Sequence, residues 1–324
     1  MTSDLDQALA LLKAGELVGI PTETVYGLAA DAAQPLAVAK IFAAKGRPND
    51  HPVIVHIAGK AQLNDWAMDI PEDAWKLADA FWPGPLTLIL KKQPHVSYAV
   101  TGGQESVGLR APNHPITHEL LQRFGGGIAA PSANQFGHVS PTTAQHVRDE
   151  FSTESVSLIL DGGACDVGVE STIISLIGPR PVLLRPGGVA RTAIETVLGH
   201  TIEHLQNASS AKIRASGLLD SHYAPRTTLL TGNQEQMAAA AVARAGQKLA
   251  ILHTQAPLPQ DDAAIHILMP AHADEYAQMI YATLRDLDTQ GLDAILLVLP
   301  PDEPAWLAVH DRLGRAAHQK MGQE

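Results

Sequence analysis

The sequence predicts a mixed α/β protein in two parts, and three observations predict it. Short apolar strands alternate with amphipathic helical runs along most of the chain. In the first part several strands follow one another with no helix between them, which argues against a purely doubly wound sheet. Across residues 206–226 the apolar period lapses into Ala, Ser and Gly, and a cleaner β-α-β order resumes after it.

The elements follow in order. Residues 3–14 carry Leu5, Leu9 and Leu12 at helical spacing behind a capping Ser3. Residues 17–20 form a strand ended by Pro21, and 36–44 a helix with Val38, Ile41 and Phe42 apolar. A strand over 53–57 precedes helical stretches over 61–66 and 72–81. After the turn Trp82-Pro83-Gly84-Pro85 come strands over 86–90 and 107–110, then a helix over 116–124. A helix starts near Thr142, strands continue over 157–160, 171–175 and 182–185, and 192–198 is helical. The second part reads as strands over 228–230, 249–252, 265–268 and 294–299, with helices over 234–245, 274–287 and 306–318. The expected division is residues 1–205, a linker over 206–226, and a small α/β domain over 227–324.

Composition narrows the function classes. The 324 residues hold 23 Lys and Arg against 34 Asp and Glu, a net charge of −11 with no basic run, so a strongly basic nucleic-acid footprint is excluded. Cys165 stands alone, which excludes an intrachain disulfide and a Cys-based zinc site. It has no activating motif beside it and reads as a small loop or core residue rather than a nucleophile. The first residues lack the cationic-then-apolar order of a signal peptide, and no apolar run has the length of a membrane span. A cytoplasmic protein with no membrane partner is expected.

Candidate chemistry gathers in loops marked by Gly and Pro. Thr24 lies in the polar segment 21–28 at a strand end, where α/β proteins place ligand groups. Lys45 and Arg47 put two cations two residues apart, suited to phosphate, although a basic helix end favoured by the macrodipole has the same look. His56 sits within an apolar strand, where a lone histidine is ordinarily structural. Ser106 and Arg110 flank another strand, and Arg110 reads either as a carboxylate clamp or as half of a surface ion pair. Ser132, Asn134 and Ser140 crowd the approach to a helix, an arrangement suited to an anion and richer than simple N-capping requires. Ser171 enters a strand and Arg185 leaves one. GxGxxG and Walker A motifs are absent, as are Ser-His-Asp and Cys-His pairs.

Taken together, PTETVYGL, KGRP followed by HPVIVHI, FWPGPLTLIL, VGLRAPNHP, APSAN, GVESTII and LLRPGG occur here in that order. They resemble the YrdC-like domain family across about the first 200 residues. Continuation through Ser221-His222-Tyr223-Ala224-Pro225 into a second domain is similar to the long, two-domain form of the L-threonylcarbamoyladenylate synthases. The resemblance implies a YrdC-like mixed twisted sheet with helices, plus a small C-terminal Rossmann-like α/β domain. It implies a nucleotidyltransferase that joins L-threonine, bicarbonate or CO2, and ATP into threonylcarbamoyl-AMP, releasing pyrophosphate. The product would serve N6-threonylcarbamoylation of adenosine in tRNA through downstream threonylcarbamoyl-transfer proteins. Lys45, Arg47, Ser132 and Asn134 match the family's signature tetrad. Arg47, His51, Ser106, Ser132, Ser140 and Arg185 match ATP contacts, and Tyr223 matches a residue that closes over the nucleotide. Thr24, His56, Arg110, Ala130 and Ser171 match positions around the threonine.

Mg2+ is expected with ATP, whose phosphates would supply most of its ligands, since no paired-carboxylate motif stands out. Three positions depart from the family pattern: His51 replaces a common Asn, Ser175 a common acidic residue, and Ala215-Ser216-Gly217-Leu218 the commoner Ser-Pro-Gly-Met. Such chemistry needs ligands held in register, negative charge neutralised and water excluded, with no protein nucleophile. The alternative is an RNA-binding module without turnover, and weak RNA binding could accompany the enzyme. The acidic balance and the lack of aromatic–basic interleaving count against the module.

Overall fold

The helix expected near the N-terminus forms as α1 (Thr2–Lys13) and buries Leu5, Leu9 and Leu12. The computed structural model describes residues 2–205, 214–215, 223–254 and 264–321. The chain continues through β1 (Val18–Ile20), β2 (Gly27–Asp31), α2 (Pro35–Lys45), β3 (Ile54–His56), α3 (Leu63–Trp66) and α4 (Glu72–Phe81). Next come β4 (Leu86–Lys91), α5 (Tyr98–Thr101), β5 (Ser106–Arg110), α6 (Pro115–Phe124) and β6 (Ile128–Ala129). The first part ends with α7 (Ala144–Glu150), β7 (Leu158–Ile159), β8 (Thr172–Ser175), β9 (Val182–Arg185), α8 (Arg191–Leu198) and β10 (Glu203–His204).

Among the described residues, ten strands make one sheet in the order β10-β9-β8-β4-β5-β3-β6-β2-β1-β7. The pairs β10/β9, β8/β4, β5/β3 and β1/β7 are parallel and the others antiparallel, so the sheet is mixed, as expected. Strand β2 was not expected. Its Gly-Leu-Ala-Ala-Asp run has little intrinsic strand preference, and pairing with β1 on one side and β6 on the other makes it a strand.

Register decides which side chains share a face, because paired residues point the same way and alternate along each strand. On one face α1 and α6 cover β1, β2 and β6, with Leu5, Leu9, Leu12, Leu120 and Leu121 packed against Val18, Ile20, Ala29 and Ile128. Further along that face Ile54 of β3 pairs with Gly108 of β5, Gly108 with Ile89 of β4, and Ile173 of β8 lies beyond. These residues form an apolar floor in which Ile54, Ile89, Ile173 and Leu184 cluster, with Val182 and Ala215 against them. No helix residue belongs to that cluster among the described residues. A small pocket lies there instead, lined by Ile54, Ile89, Ser106, Gly108 and Ile173 together with Arg214 and Ala215.

The second part holds β11 (Thr228–Gly232), α9 (Gln234–Ala243), β12 (Leu249–His253), β13 (Ile265–Leu268), α10 (Ala273–Asp288), β14 (Ala294–Val298), α11 (Leu307–Ala316) and β15 (Gln319–Lys320). Its strands are parallel, in the order β13-β12-β14-β11-β15. Asn233 and Gln236 form a capping box at the start of α9. That helix buries Met237 and Ala240 against Leu230, Leu249, Ile251 and Leu296. This is the small Rossmann-like domain the resemblance implied.

Contacts divide the chain into two compact units: Met1–Phe136, Ser140–Asp166 and Glu170–Leu218 form one, and Gly137–Val139, Val167–Val169 and Leu219–Glu324 the other. Of the linker expected over 206–226, residues 206–213 and 216–222 lie outside the described residues. Ser216, Gly217, Leu218, Ser221 and His222 are among them.

Gly102 ends α5 at φ +58, and a Cβ there would lie 2.3 Å from the Asp50 carbonyl oxygen. Left-handed backbone costs about 1–2 kcal/mol for a residue with a side chain, and overpacking about 1–3 kcal/mol more. Gly102→Ala should therefore lower stability by about 2–5 kcal/mol in urea unfolding, and an unchanged midpoint would contradict the close packing described here.

Candidate active site

Helix α2 delivers the two cations singled out in the sequence to different places. Gly46 caps it in the left-handed conformation at φ 60, and the Arg47 N–H bonds back to the Phe42 carbonyl at 3.0 Å. The turn leaves Lys45 buried, 3% exposed, while Arg47 emerges half-buried. The Lys45 ammonium donates to the Ser132 carbonyl at 2.5 Å and to the Asn134 carbonyl. The Phe136 N–H returns a bond to the Lys45 carbonyl at 2.9 Å. Three of the four tetrad residues are thereby tied together through the backbone of the 132–136 loop. Burial, then the charge of Arg47, hold the Lys45 ammonium well below its ordinary range, with Glu150 opposing. Arg47 donates to the Pro52 carbonyl at 2.9 Å, beside the start of β3. The His51 ring lies 5.9 Å from that of Phe136, and burial, then Arg47, lower its pKa.

The remaining candidates line this sheet face and its edges, where His56, Ser106, Arg110, Ala130, Ser171 and Arg185 are all buried. Register pairs His56 with Arg110 at the ends of the parallel strands β3 and β5. Ser106 occupies the opposite end of β5 on the same face. Ala130 continues β6 alongside, its N–H bonded to the Ile54 carbonyl at 3.1 Å. A bridge between Gly27 and Ser132 carries the Thr24 loop next to this stretch. Within that loop the Thr22 and Thr24 hydroxyls lie 2.9 Å apart, both buried. Across the floor, Arg185 grips the start of β8: Nε and Nη2 donate to the Ser171 carbonyl at 3.1 and 2.9 Å. Nη2 also reaches the Ser171 hydroxyl at 3.2 Å. The face thus has an apolar floor between two polar ends, Ser106 at one and His56, Arg110, Ser171 and Arg185 at the other. Over the floor, the Arg214 N–H bonds the Gln104 side chain at 2.7 Å, and Gln104 donates back to the Arg214 carbonyl at 3.0 Å.

Several groups were missed by sequence reasoning. Arg110 is not in a surface ion pair: its Nη2 lies 2.7 Å from Glu23 Oε1, with both side chains 5% exposed. Glu170 accepts from the buried Ser140 hydroxyl at 2.6 Å. Thr87 of β4 shares a 2.8 Å hydrogen bond with the Ser171 hydroxyl. Glu23 and Glu170 stand inside motifs already picked out, yet nothing local marks them as partners of residues far along the chain. Burial pushes the Cys165 thiol up to about 12, with Glu23 and Asp166 adding to it, so it stays protonated and is no nucleophile.

Tyr223 belongs to the second unit. At φ 67 it stacks on Tyr281, ring centroids 5.7 Å apart, and the Arg312 guanidinium lies 5.4 Å from its ring centre. Among the described residues no group of three or more His, Cys, Asp or Glu side chains is placed to hold a metal ion, and no helix is long and apolar enough to cross a membrane.

Fold and site together define an α/β protein whose sheet face presents cations, hydroxyls and an imidazole, with no activated nucleophile among the described residues. A Sua5/YciO/YrdC family model, described as telomere recombination, matches residues 10–187, and a C-terminal-domain model of threonylcarbamoyl-AMP synthase matches 189–318. The threonylcarbamoyl-AMP synthase of Bacillus subtilis is 41% identical, covering 96% of this chain and 92% of its own. That of Pyrococcus abyssi is 39% identical, over 97% and 94%. The crystal structure of P. abyssi Sua5 complexed with L-threonine superposes with a TM-score of 0.86 at 36% identity, covering 98% of this chain and 96% of that one. The chain belongs to the threonylcarbamoyl-AMP synthase family.

Burial, then the neighbouring Arg110 charge, lower the His56 pKa from 6.5 to about 3. The fold favours the neutral ring, so this contribution to stability is complete above pH 6.5 and is lost as pH falls toward 3. Between pH 7 and pH 5 the loss from this group is about 2 kcal/mol. Urea unfolding should show that His56→Gln loses about that much less stability than the wild type over the same interval. Equal losses would mean the ring is not held neutral.

Proposed function

We propose that this protein makes threonylcarbamoyl-AMP and pyrophosphate from L-threonine, bicarbonate or CO2, and ATP. The observation that supports it best is the sheet face, an apolar floor with polar groups at both ends, in a chain that two relatives carrying that name match over 96–97% of its length. The Pyrococcus abyssi relative was crystallised in complex with L-threonine, and we carry that substrate to this chain.

In this reading the threonine carboxylate meets Arg110, beside the neutral His56, and its hydroxyl and methyl lie among Thr24, Ala130 and Ser171. The triphosphate lies by Arg47, Ser132, Ser140 and Arg185, with Ser106 and His51 nearer the nucleoside. The neutral threonine amine attacks CO2, one C=O π bond opens, and a proton leaves the nitrogen to solvent to give a carbamate. A carbamate oxygen then attacks the α-phosphorus, the bond from that phosphorus to the bridging oxygen breaks, and pyrophosphate leaves with the electron pair. The side chains neutralise charge and hold three reactants in line. Lys45 acts through the backbone, holding the Ser132–Asn134 loop, because its ammonium is engaged with two carbonyls. The two carboxylates here, Glu23 and Glu170, are engaged with Arg110 and Ser140, and the other groups are hydroxyls, amides and cations, a poor set for Mg2+, so we assign the ion to the ATP phosphates as part of the substrate.

The same reading includes a cytoplasmic location and delivery of the product to tRNA threonylcarbamoyl-transfer proteins. Direct RNA binding without turnover is disfavoured by the net charge of −11.

Pyrophosphate release from ATP, measured with and without L-threonine and bicarbonate, tests this. Release should require both, and release indifferent to threonine would refute the proposal. Arg47→Ala and Ser132→Ala should each abolish synthesis while leaving the unfolding midpoint near that of the wild type.

A further inference from the structure

We propose that Glu23 is the positioning residue for substrate carboxylate recognition, acting through Arg110. The inference rests on the function proposed above and extends it to a residue outside the tetrad and outside the positions matched to threonine.

Arg110 is 4% exposed, and a guanidinium so buried needs its orientation set by the protein. Its Nε makes one long hydrogen bond, 3.4 Å, to the Gly84 carbonyl. Nη2 stands 2.7 Å from Glu23 Oε1, an ion pair outside hydrogen-bond geometry, so both of these buried atoms lack a hydrogen-bond partner among the described residues. Glu23 thus supplies the counter-charge, and the outer edge of the fork is left for an acceptor. Glu23 is itself fixed: its Oε2 accepts the Asn113 N–H at 2.9 Å, three residues past Arg110 at the end of β5. One carboxylate therefore links the guanidinium to the loop that follows β5, through an ion pair on one oxygen and a hydrogen bond on the other.

Without Glu23 the guanidinium would retain one weak bond and an uncompensated buried charge, which favours swinging away from this position. A ligand carboxylate would then have to restore the geometry on binding. An opposing effect exists, because Glu23 and a ligand carboxylate repel each other across the shared guanidinium. The two effects predict opposite signs, so an experiment separates them.

Steady-state synthesis is measured with full-length Glu23→Gln and Glu23→Asp proteins, varying L-threonine and ATP separately. L-threoninol, which keeps the amine, hydroxyl and methyl but lacks the carboxylate, is measured as an inhibitor. Glu23→Gln should raise the KM for L-threonine about tenfold while leaving the KM for ATP and the inhibition constant of L-threoninol within about twofold. Glu23→Asp, which keeps the charge on a shorter stem, should fall between, and it carries the same readouts where the Gln protein folds poorly. An unchanged or lowered KM for L-threonine would overturn the proposal. So would equal weakening of L-threonine and L-threoninol, which would mark a general loss of order. A wild-type enzyme that ignores L-threonine would overturn the proposed function as well, and is seen before any variant is made.

Discussion

The ammonium of Lys45, buried and bonded to the carbonyls of Ser132 and Asn134, is the contact on which the site depends. A cation removed from water is costly unless hydrogen-bonded, and here two backbone oxygens from one loop answer it. The helix end and the loop are 87 and 89 residues apart in sequence, so they meet only when β2 has paired with β6. Once they meet, the loop cannot move without leaving the buried Lys45 Nζ short of its hydrogen bonds. The Gly27–Ser132 bridge and the Phe136 bond to the helix end hold the same loop from both sides.

The rest of the site follows from a sheet covered by helices on only part of one face. Where α1 and α6 stop, the strands present Ile54, Gly108, Ile89 and Ile173 as a floor. Gly108 keeps that floor low, since a Cβ there would press on the Ile89 side chain at 3.1 Å. Polar groups enter at the strand ends, where backbone pairing runs out and side chains can converge. Each buried arginine at those ends is held by the protein before any ligand arrives, Arg110 by Glu23 and Arg185 by Ser171. Such preorganisation lets charge stabilisation act without reorganising the site.

Much of the fold was legible along the chain because periodicity is local. The helix over 72–81 and the strands over 182–185 and 265–268 appear with the bounds expected from their apolar spacing. Strand β2 was missed because its small residues carry no pattern of their own, and β10 and β15 because two residues are too few to show one. In the site, Lys45, Arg47, Ser132, Asn134, Arg110 and Arg185 stood out because a polar group beside Gly or Pro at a strand or helix end is conspicuous. Glu23, Thr87 and Glu170 did not stand out, because each matters only through a partner brought from another part of the chain.

The sequence alone therefore determined the class of fold, the two-part order of its elements and the polar loops from which a site could be built, since each is written in short-range spacing. The tertiary structure decided which loops meet, which helices cover which part of the sheet face, that Arg110 is paired in the interior rather than at the surface, and that Tyr223 packs with Tyr281 and Arg312. Those facts depend on strand register and on contacts across tens to hundreds of residues, and no local pattern encodes them.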